Sequence, residues 1–335
     1  MKKELSNNIF LSEGINVLSL FDGISCGQVA LERAGIKVNN YFASEIDKHA
    51  IKVTQSNYPN TKQIGDVTKV KGADLPKIDL LMGGSPCQGF SQAGKKLNFD
   101  DPRSKLFFEY VRILKETNPK YFLYENVVPK NKEVIDIISD FLSVQPKPLN
   151  SNLQSCQDRK RLYWANFEIT TPEDDGILLK DIVGFTSEIP NKEETIDDIK
   201  KWTSREFDVS ISKLGRVRPH RLDPKKSGIS EIGSLTNPND KCTTITASHA
   251  PRTYKTPFEI YELSVNECEQ VQGLPIGYTD YISERQAKKA IGNGWTVQII
   301  THIFNQMAAI ADKERGEEKN IITANMHEPK LKTGT

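Results

Sequence analysis

Short, uninterrupted apolar runs alternate with amphipathic stretches through the first half of the chain, and this alternation constrains the fold more than any other feature. Ile15–Leu20 is the first such run, and a stretch with helical periodicity follows it. Further runs lie at residues 41–44, 78–82 and 121–124. Strands that are apolar along their whole length are typical of a parallel sheet that helices cover on both faces. The sequence therefore predicts a doubly wound α/β fold, in which ligands bind at the carboxyl ends of the strands.

The alternation of strand and helix patterns fades after Glu168 and returns near Ser283. Charge blocks dominate the region between them: nine acids stand against two lysines over residues 172–199, and nine lysines and arginines against three acids over residues 200–226. We therefore predict an α/β domain over residues 1–167 that residues 277–315 complete, a smaller irregular domain over 168–276, and a charged tail over 316–335.

The composition bounds the class of protein. The 335 residues have a formal net charge of +1, with 37% apolar and 27% charged residues, which fits a globular chain. The five cysteines form no CxxC pair and no ligand-like spacing with the five histidines, so we expect reduced thiols and no metal site. No apolar stretch is long enough for a membrane span, and the N-terminus lacks the apolar segment of a secretory signal. We expect a cytoplasmic protein.

Three loops that follow predicted strands have side chains suited to a nucleoside. Residues 23–27 supply glycines that let a backbone approach a ligand, but they lack the full GxGxxG spacing of a dinucleotide site. Glu45 ends the second strand, where a carboxylate can accept both hydroxyls of a ribose. Asp66 could accept from an exocyclic amine. Together they indicate a nucleoside-bearing cofactor without phosphates, although each loop alone fits an ordinary turn about as well.

Three further strand-end motifs have side chains suited to catalysis. Cys87 lies in a loop of glycine, serine and proline rather than inside an apolar run, where a structural cysteine would be expected. Glu125 follows an apolar run, and Arg159 and Arg161 alternate onto one face of the next predicted strand, where they could bind a phosphate or a base oxygen. A buried structural cysteine is the alternative for Cys87, and solvated side chains are the alternative for Glu125 and for the two arginines. A Cys–His hydrolase is poorly supported, because only His49 stands near a strand end.

Taken in chain order, these motifs resemble those of the cytosine-5 DNA methyltransferases that use S-adenosylmethionine. The matching segments are FDGISCG, ASEID, GDV, GGSPCQGFS, ENV, QDRKR and IGNGW, and the resemblance covers residues 16–167 and 261–304. It is nearest to the eukaryotic de novo enzymes and their phage and bacterial relatives. It implies a Rossmann-like catalytic domain, and it makes residues 168–276 a target-recognition domain.

The resemblance also implies a covalent mechanism on a cytosine that is flipped out of the duplex. Cys87 would add to carbon 6 of the ring, and Glu125 would bind N3 and the exocyclic amine. Arg161, with Arg159 beside it, would contact the base oxygen and neighbouring phosphates. The residues implied for the S-adenosylmethionine site are Phe21, Asp22, Gly23, Ile24, Ser25, Cys26, Gly27, Glu45, Ile46, Asp66, Val67, Pro86, Leu106, Asn293 and Trp295.

DNA contacts are assigned by position and by side-chain chemistry. Basic residues contact phosphates, whereas hydroxyls and arginines can reach base edges. The candidates are Ser91, Gln92, Arg216, Arg218, Arg221, Thr244, Thr246 and Arg252. For residues 243–246 an ordinary strand is the alternative. The basic block over residues 200–226 explains how a nearly neutral chain could bind phosphates.

The sequence therefore predicts a DNA cytosine-5 methyltransferase, with S-adenosylmethionine as cofactor, duplex DNA as substrate, and a cognate restriction endonuclease as a candidate genetic partner. Two alternatives stay open at this point. A tRNA cytosine-5 methyltransferase of the same family would share Cys87 and Glu125, and an inactive homologue would bind DNA without reacting with it. A nicotinamide dehydrogenase is disfavoured by the missing GxGxxG.

Overall fold

The computed structural model describes residues 14–86, 102–129, 131–185, 207–211, 217–222, 229–231, 235–256 and 259–326. Among the residues singled out above, Cys87, Ser91, Gln92 and Arg216 lie outside these ranges.

Seven strands form the main sheet. They are β1 Ile15–Leu20, β2 Val38–Ser44, β3 Lys62–Gln63, β4 Leu80–Gly83, β5 Tyr121–Val127, β6 Lys147–Asn150 and β7 Lys160–Ala165, and their spatial order is β3-β2-β1-β4-β5-β7-β6. Neighbours pair in parallel from β3 through to β5, whereas β7 runs antiparallel to both β5 and β6. The chain builds outward from β1 to one edge and then returns to β4, so the order reverses beside β1. Crevices at such reversal points bind ligands in open α/β sheets.

Helices cover both faces of this sheet, which confirms the predicted doubly wound fold. They are α1 Cys26–Arg33, α2 Lys48–Asn57, α3 Pro102–Thr117, α4 Lys132–Leu142, the single turn α5 Lys180–Val183, α6 Val265–Gln272, α7 Glu284–Asn293 and α8 Val297–Met326. Successive side chains of a strand point to opposite faces, so Val17 joins a core with α1 and α8, and Leu18 joins a second core with α3 and α4. The helix α8 continues to Met326, into the stretch predicted as a tail.

The region predicted to be irregular contains a second sheet. Its strands are β8 Phe207–Ile211, β9 Val217–Leu222, β10 Ile229–Glu231, β11 Leu235–Thr236, β12 Arg252–Thr256 and β13 Glu259–Glu262. Residues 243–246, in contrast, form no strand, and beside them only Cys242 makes an isolated bridge, to Gln157. The strand alternative for that segment is therefore wrong. Within the described ranges, none of the helices has the length and apolar character that a membrane crossing requires.

The strand β5 is longer than predicted, and its extension matters for the site. The sequence interpretation ended the strand at residue 124, before Glu125. In the structure β5 continues through Val127, because β7 pairs with it in antiparallel register and places Glu125 opposite Tyr163 and Val127 opposite Arg161. Diagonal neighbours on one face of such a pair lie within reach of long side chains. The register thus brings Arg161 beside Glu125.

Candidate functional site

A cavity of about 510 Å³ lies at the carboxyl ends of the central strands, where the strand order reverses. Its volume is in the range of small-molecule sites. Most of the residues predicted to bind a cofactor line it: Phe21, Gly23, Ile24, Glu45, Ile46, Asp66, Val67, Pro86, Leu106 and Asn293. Glu125, Arg159 and Arg161 line the same cavity. The remaining predicted cofactor residues, Asp22, Ser25, Cys26, Gly27 and Trp295, are not among the residues that line it.

The loop between β1 and α1 has an unusual backbone. Phe21, Gly23 and Ser25 all have left-handed conformations, with φ of +57°, +60° and +57°. Such a conformation is unfavourable for residues with a Cβ and persists where surrounding contacts impose it. Here Asp22 supplies those contacts, because its carboxylate accepts hydrogen bonds from the Ser25 hydroxyl and from the Tyr41 hydroxyl at 2.7 Å. Asp22 therefore stabilises the conformation of the loop through these hydrogen bonds, while its neighbours Phe21 and Gly23 line the cavity.

Asp22 gives the fold a measurable pH dependence. Burial raises the pKa of Asp22 from 3.8 to about 6. Between about pH 4 and pH 6 the native state therefore holds a proton that the unfolded chain has lost, so the free energy of unfolding falls as the pH rises through this window. We expect wild type to lose up to about 3 kcal/mol relative to Asp22→Asn across it. Urea unfolding of both proteins at several pH values measures this difference, and a difference that stays constant with pH would contradict the expectation.

Glu45 joins the first two loops of the site. Its Oε2 accepts from the Gly23 amide at 2.8 Å, and its Oε1 accepts from the amides of Ile46 and Asp47 at 2.7 and 2.8 Å. Ile46 beside it is 76% exposed and lines the cavity. A carboxylate next to an exposed aliphatic side chain suits a ribose with an attached planar base.

Asp66 lies on the same cavity and is an acceptor. Its Oδ1 accepts from the amide and the hydroxyl of Thr68 at 3.0 and 2.9 Å, and these hydrogen bonds hold the pKa of Asp66 below its usual range. The carboxylate is therefore ionised at neutral pH. An anionic acceptor at this position, close to buried Val67, fits the exocyclic amine of an adenine. The carboxylate acceptors Glu45 and Asp66, with the apolar side chains beside them, therefore fit a nucleoside cofactor.

A charged pair and an indole meet at the other end of the cavity. Glu125 is 9% exposed, and its Oε1 lies 3.0 Å from Nε of Arg161. Its Oε2 accepts from the Trp295 indole N–H at 2.9 Å. Trp295 is 170 residues away in the chain and belongs to the segment between α7 and α8. The carboxylate thus has a cation at one oxygen and a neutral donor at the other.

Arg159 has different surroundings from Arg161. It precedes β7, is 4% exposed, and donates to the carbonyls of Ile245, Gly292 and Gly294 at 2.7, 3.1 and 2.9 Å. Burial, with the nearby charge of Arg161, lowers the pKa of Arg159 to about 10. Its guanidinium therefore joins the start of β7 to two other segments, at residue 245 and at residues 292–294. A contact with the base or a phosphate stays a prediction.

The predicted DNA-reading residues are scattered. Arg218 and Arg221 belong to β9. The Thr244 hydroxyl donates to the Asp158 carbonyl, and the Thr246 hydroxyl accepts from the His249 amide at 3.1 Å in a tight turn. Arg252 pairs with Glu262 across β12 and β13, with a closest N–O distance of 2.8 Å. Their contacts with DNA stay predictions.

The sequence interpretation missed one wall of the cavity. Gln286, Lys289 and Ala290 line it from α7, together with Asn293, which was predicted. Lys289 also lies 3.5 Å from Asp47, at the first turn of α2. The four positions have the i, i+3, i+4, i+7 spacing of one helix face, so the predicted Asn293 on a helix could have indicated the other three.

The chain is similar in sequence and in fold to known methyltransferases. The family model described as C-5 cytosine-specific DNA methylase matches residues 15–309. The type II methyltransferase M1.ScrFI of Lactococcus lactis subsp. cremoris is 30% identical, over 89% of this chain and 79% of its own. M.FnuDI of Fusobacterium nucleatum is 28% identical, over 90% of this chain and 96% of its own. Among solved structures, the Entamoeba histolytica methyltransferase EhMeth shares the fold, with a TM-score of 0.63, 17% identity, and coverage of 88% of this chain and 98% of its own.

Proposed function

Because the chain belongs to the C-5 cytosine-specific DNA methylase family, we propose that its cavity holds a flipped-out cytosine against Glu125 and Arg161 while Cys87 attacks the ring. The family confirms the activity predicted from the motifs, which is methylation of DNA at carbon 5 of cytosine. The assignment of each residue to a step is the proposal.

One observation supports the assignment most strongly: the Glu125–Arg161 pair lines the same cavity as Glu45 and Asp66. A base and a nucleoside cofactor bound there would face each other within one cavity. The Watson–Crick edge of cytosine has an acceptor at O2, an acceptor at N3 and a donor amine at carbon 4. A guanidinium beside a carboxylate that can carry a proton matches this sequence of groups.

The cofactor end of the site is proposed on the same basis. S-adenosylmethionine is the methyl donor of the family and supplies an electrophilic methyl group when bound. Glu45 would accept from the ribose hydroxyls, Ile46 and Val67 would flank the adenine, and Asp66 would accept from its amine. Phe21 and the backbone at Gly23 would face the remainder of the molecule.

The chemistry then follows from the target ring. The Cys87 thiolate adds to carbon 6, and the ring electrons move toward N3, where Glu125 donates a proton. Carbon 5, now part of an enamine, acquires the methyl group. The proton on carbon 5 leaves to water, the electrons of that bond restore the double bond between carbons 5 and 6, and the Cys87 thiolate is expelled. The proton on N3 returns to Glu125, which leaves neutral 5-methylcytosine. Arg161 stabilises the negative charge that develops on the base oxygen.

Purified protein with tritiated cofactor and either duplex DNA or tRNA tests this function. We expect label in the DNA alone, at cytosine. Label in tRNA alone would contradict the proposal and favour the tRNA enzyme. Binding to DNA without label in either nucleic acid would favour the inactive homologue.

A cytoplasmic location and a cognate restriction endonuclease are also proposals. The names of the bacterial relatives, which are type II methyltransferases, support both. If an endonuclease accompanies the enzyme, DNA from cells that express the protein should resist cleavage by it. Cleavage to completion would contradict the pairing.

A further inference from the structure

The carboxylate of Glu125 has two chemically different neighbours, and the second of them has no role in the mechanism above. Arg161 lies at Oε1, whereas the Trp295 indole N–H lies at Oε2. The sequence resemblance places Trp295 at the cofactor. In the structure, Trp295 is not among the residues that line the cavity, while Asn293 in the same motif is.

We propose that Trp295 is a positioning residue that gives the two oxygens of Glu125 different tasks, with Oε1 serving N3 of the cytosine and Oε2 accepting from its exocyclic amine. This inference rests on the proposed function. It follows from the order of the groups, which runs from Arg161 through Oε1 and Oε2 to Trp295. That order matches O2, N3 and the amine along the edge of cytosine.

The two neighbours differ in how firmly they are held. Arg161 has a long side chain, 15% exposed, that can move from Oε1 to the base oxygen when a base enters. Trp295 is partly buried and packs against the core that α1 and α8 share, where a Cβ at Gly27 would lie 3.4 Å from its Cζ3 atom. A Cβ at Gly84 would lie 2.8 Å from Oε2 of Glu125 and 3.5 Å from the indole nitrogen, so the chain passes directly over this hydrogen bond. Arg161 can therefore leave the carboxylate while Trp295 stays.

The hydrogen bond from Trp295 determines which oxygen of Glu125 can carry a proton. An oxygen that already accepts a hydrogen bond is the less favourable of two oxygens for a proton. With Arg161 on the base, the proton of Glu125 therefore lies on Oε1, facing N3, where the mechanism needs it. Oε2 keeps a second lone pair that can accept from the amine.

The same arrangement selects against uracil. Uracil has a carbonyl oxygen where cytosine has its amine, and that oxygen would face the lone pair of Oε2. Without the indole donor, Glu125 could rotate and relieve this repulsion. Buried polar groups that lose their partners are the strongest source of discrimination between similar ligands.

The test compares wild type with Trp295→Phe, which removes the N–H but keeps an aromatic ring. We expect the single-turnover rate of methyl transfer to fall about 10- to 100-fold, as for the loss of a hydrogen bond to a charged group. Cofactor affinity should stay within about twofold. The preference for cytosine over uracil at the target, measured as covalent adduct formation, should fall about tenfold or more.

Trp164→Phe is the matched control. Trp164 is fully buried and also donates one indole hydrogen bond, at 3.0 Å, but the acceptor is the Ser139 hydroxyl instead of Glu125. The control should keep the preference for cytosine whatever it costs in stability. If Trp295→Phe fails to fold, incorporation of benzothienylalanine, which has sulfur in place of the indole N–H, removes the donor with little change of shape.

A Trp295 variant with the wild-type rate and base preference would overturn the proposal. A loss of rate that parallels an equal loss of cofactor affinity would also overturn it, because Trp295 would then act as a cofactor ligand. Wild-type methyl transfer to DNA is measured first, so a failure of the proposed function is distinguishable from a failure of the role of Trp295.

Discussion

Cys87→Ala is expected to abolish the denaturant-stable adduct between the protein and duplex DNA that contains 5-fluorocytosine. Fluorine at carbon 5 cannot leave as a cation, so the reaction stops after methyl transfer with the Cys87 sulfur bonded to carbon 6. Alanine has no nucleophile, so no adduct can form. Denaturing electrophoresis of wild type and variant with labelled DNA measures the effect, and mass spectrometry of the digested wild-type adduct identifies the attached residue.

Cys268→Ala is the control for this experiment. Burial raises the pKa of the Cys268 thiol to about 12, so this sulfur stays protonated and unreactive at neutral pH. The control should form the adduct at the wild-type level. An adduct that persists in Cys87→Ala, or that maps to another cysteine, would contradict the assignment of the nucleophile.

Glu125→Gln should lower the single-turnover rate of methyl transfer by about 10²- to 10⁴-fold, the range for a lost general acid. Glutamine keeps the shape of the side chain but has no acidic proton to donate to N3. It also cannot form the ion pair with Arg161 that the structure shows at 3.0 Å. Cofactor affinity should change little, because Glu45 and Asp66 belong to other loops of the site, which follow β2 and β3.

The exposed Glu168 offers a comparison of the same chemical change away from the cavity. Glu168→Gln should keep the wild-type rate. Two results would contradict the assignment of Glu125: a rate within about threefold of wild type, or a loss of cofactor binding as large as the loss of rate.

The sequence was sufficient for the parts of the site that depend on local order. The apolar run of β1 and the glycines after it predicted a loop facing a ligand, and in the structure Phe21 and Gly23 of this loop line the cavity, with left-handed backbone conformations that the sequence did not predict. Glu45 and Asp66 follow the same logic, because Glu45 comes directly after β2 and Asp66 comes three residues after the end of β3. Parallel strands place such positions at one edge whatever the lengths of the helices between them.

The contacts between distant segments could not be predicted. The ion pair of Glu125 with Arg161 depends on the antiparallel register of β5 and β7, which motif spacing does not specify. The Trp295 hydrogen bond joins residues 170 positions apart, and a family motif suggested a different location for this side chain. The second sheet was missed because its strands are short and charged, with Pro219 inside one of them.

Bisulfite sequencing of DNA from cells that express the wild-type protein or Glu125→Gln tests the central claim most directly. The wild-type protein should leave cytosines protected from conversion at one short recurring sequence, and Glu125→Gln should leave the same sequence unprotected. Complete conversion with wild type, or equal protection with both proteins, would contradict the claim that Glu125 in this cavity directs the methylation of cytosine in DNA.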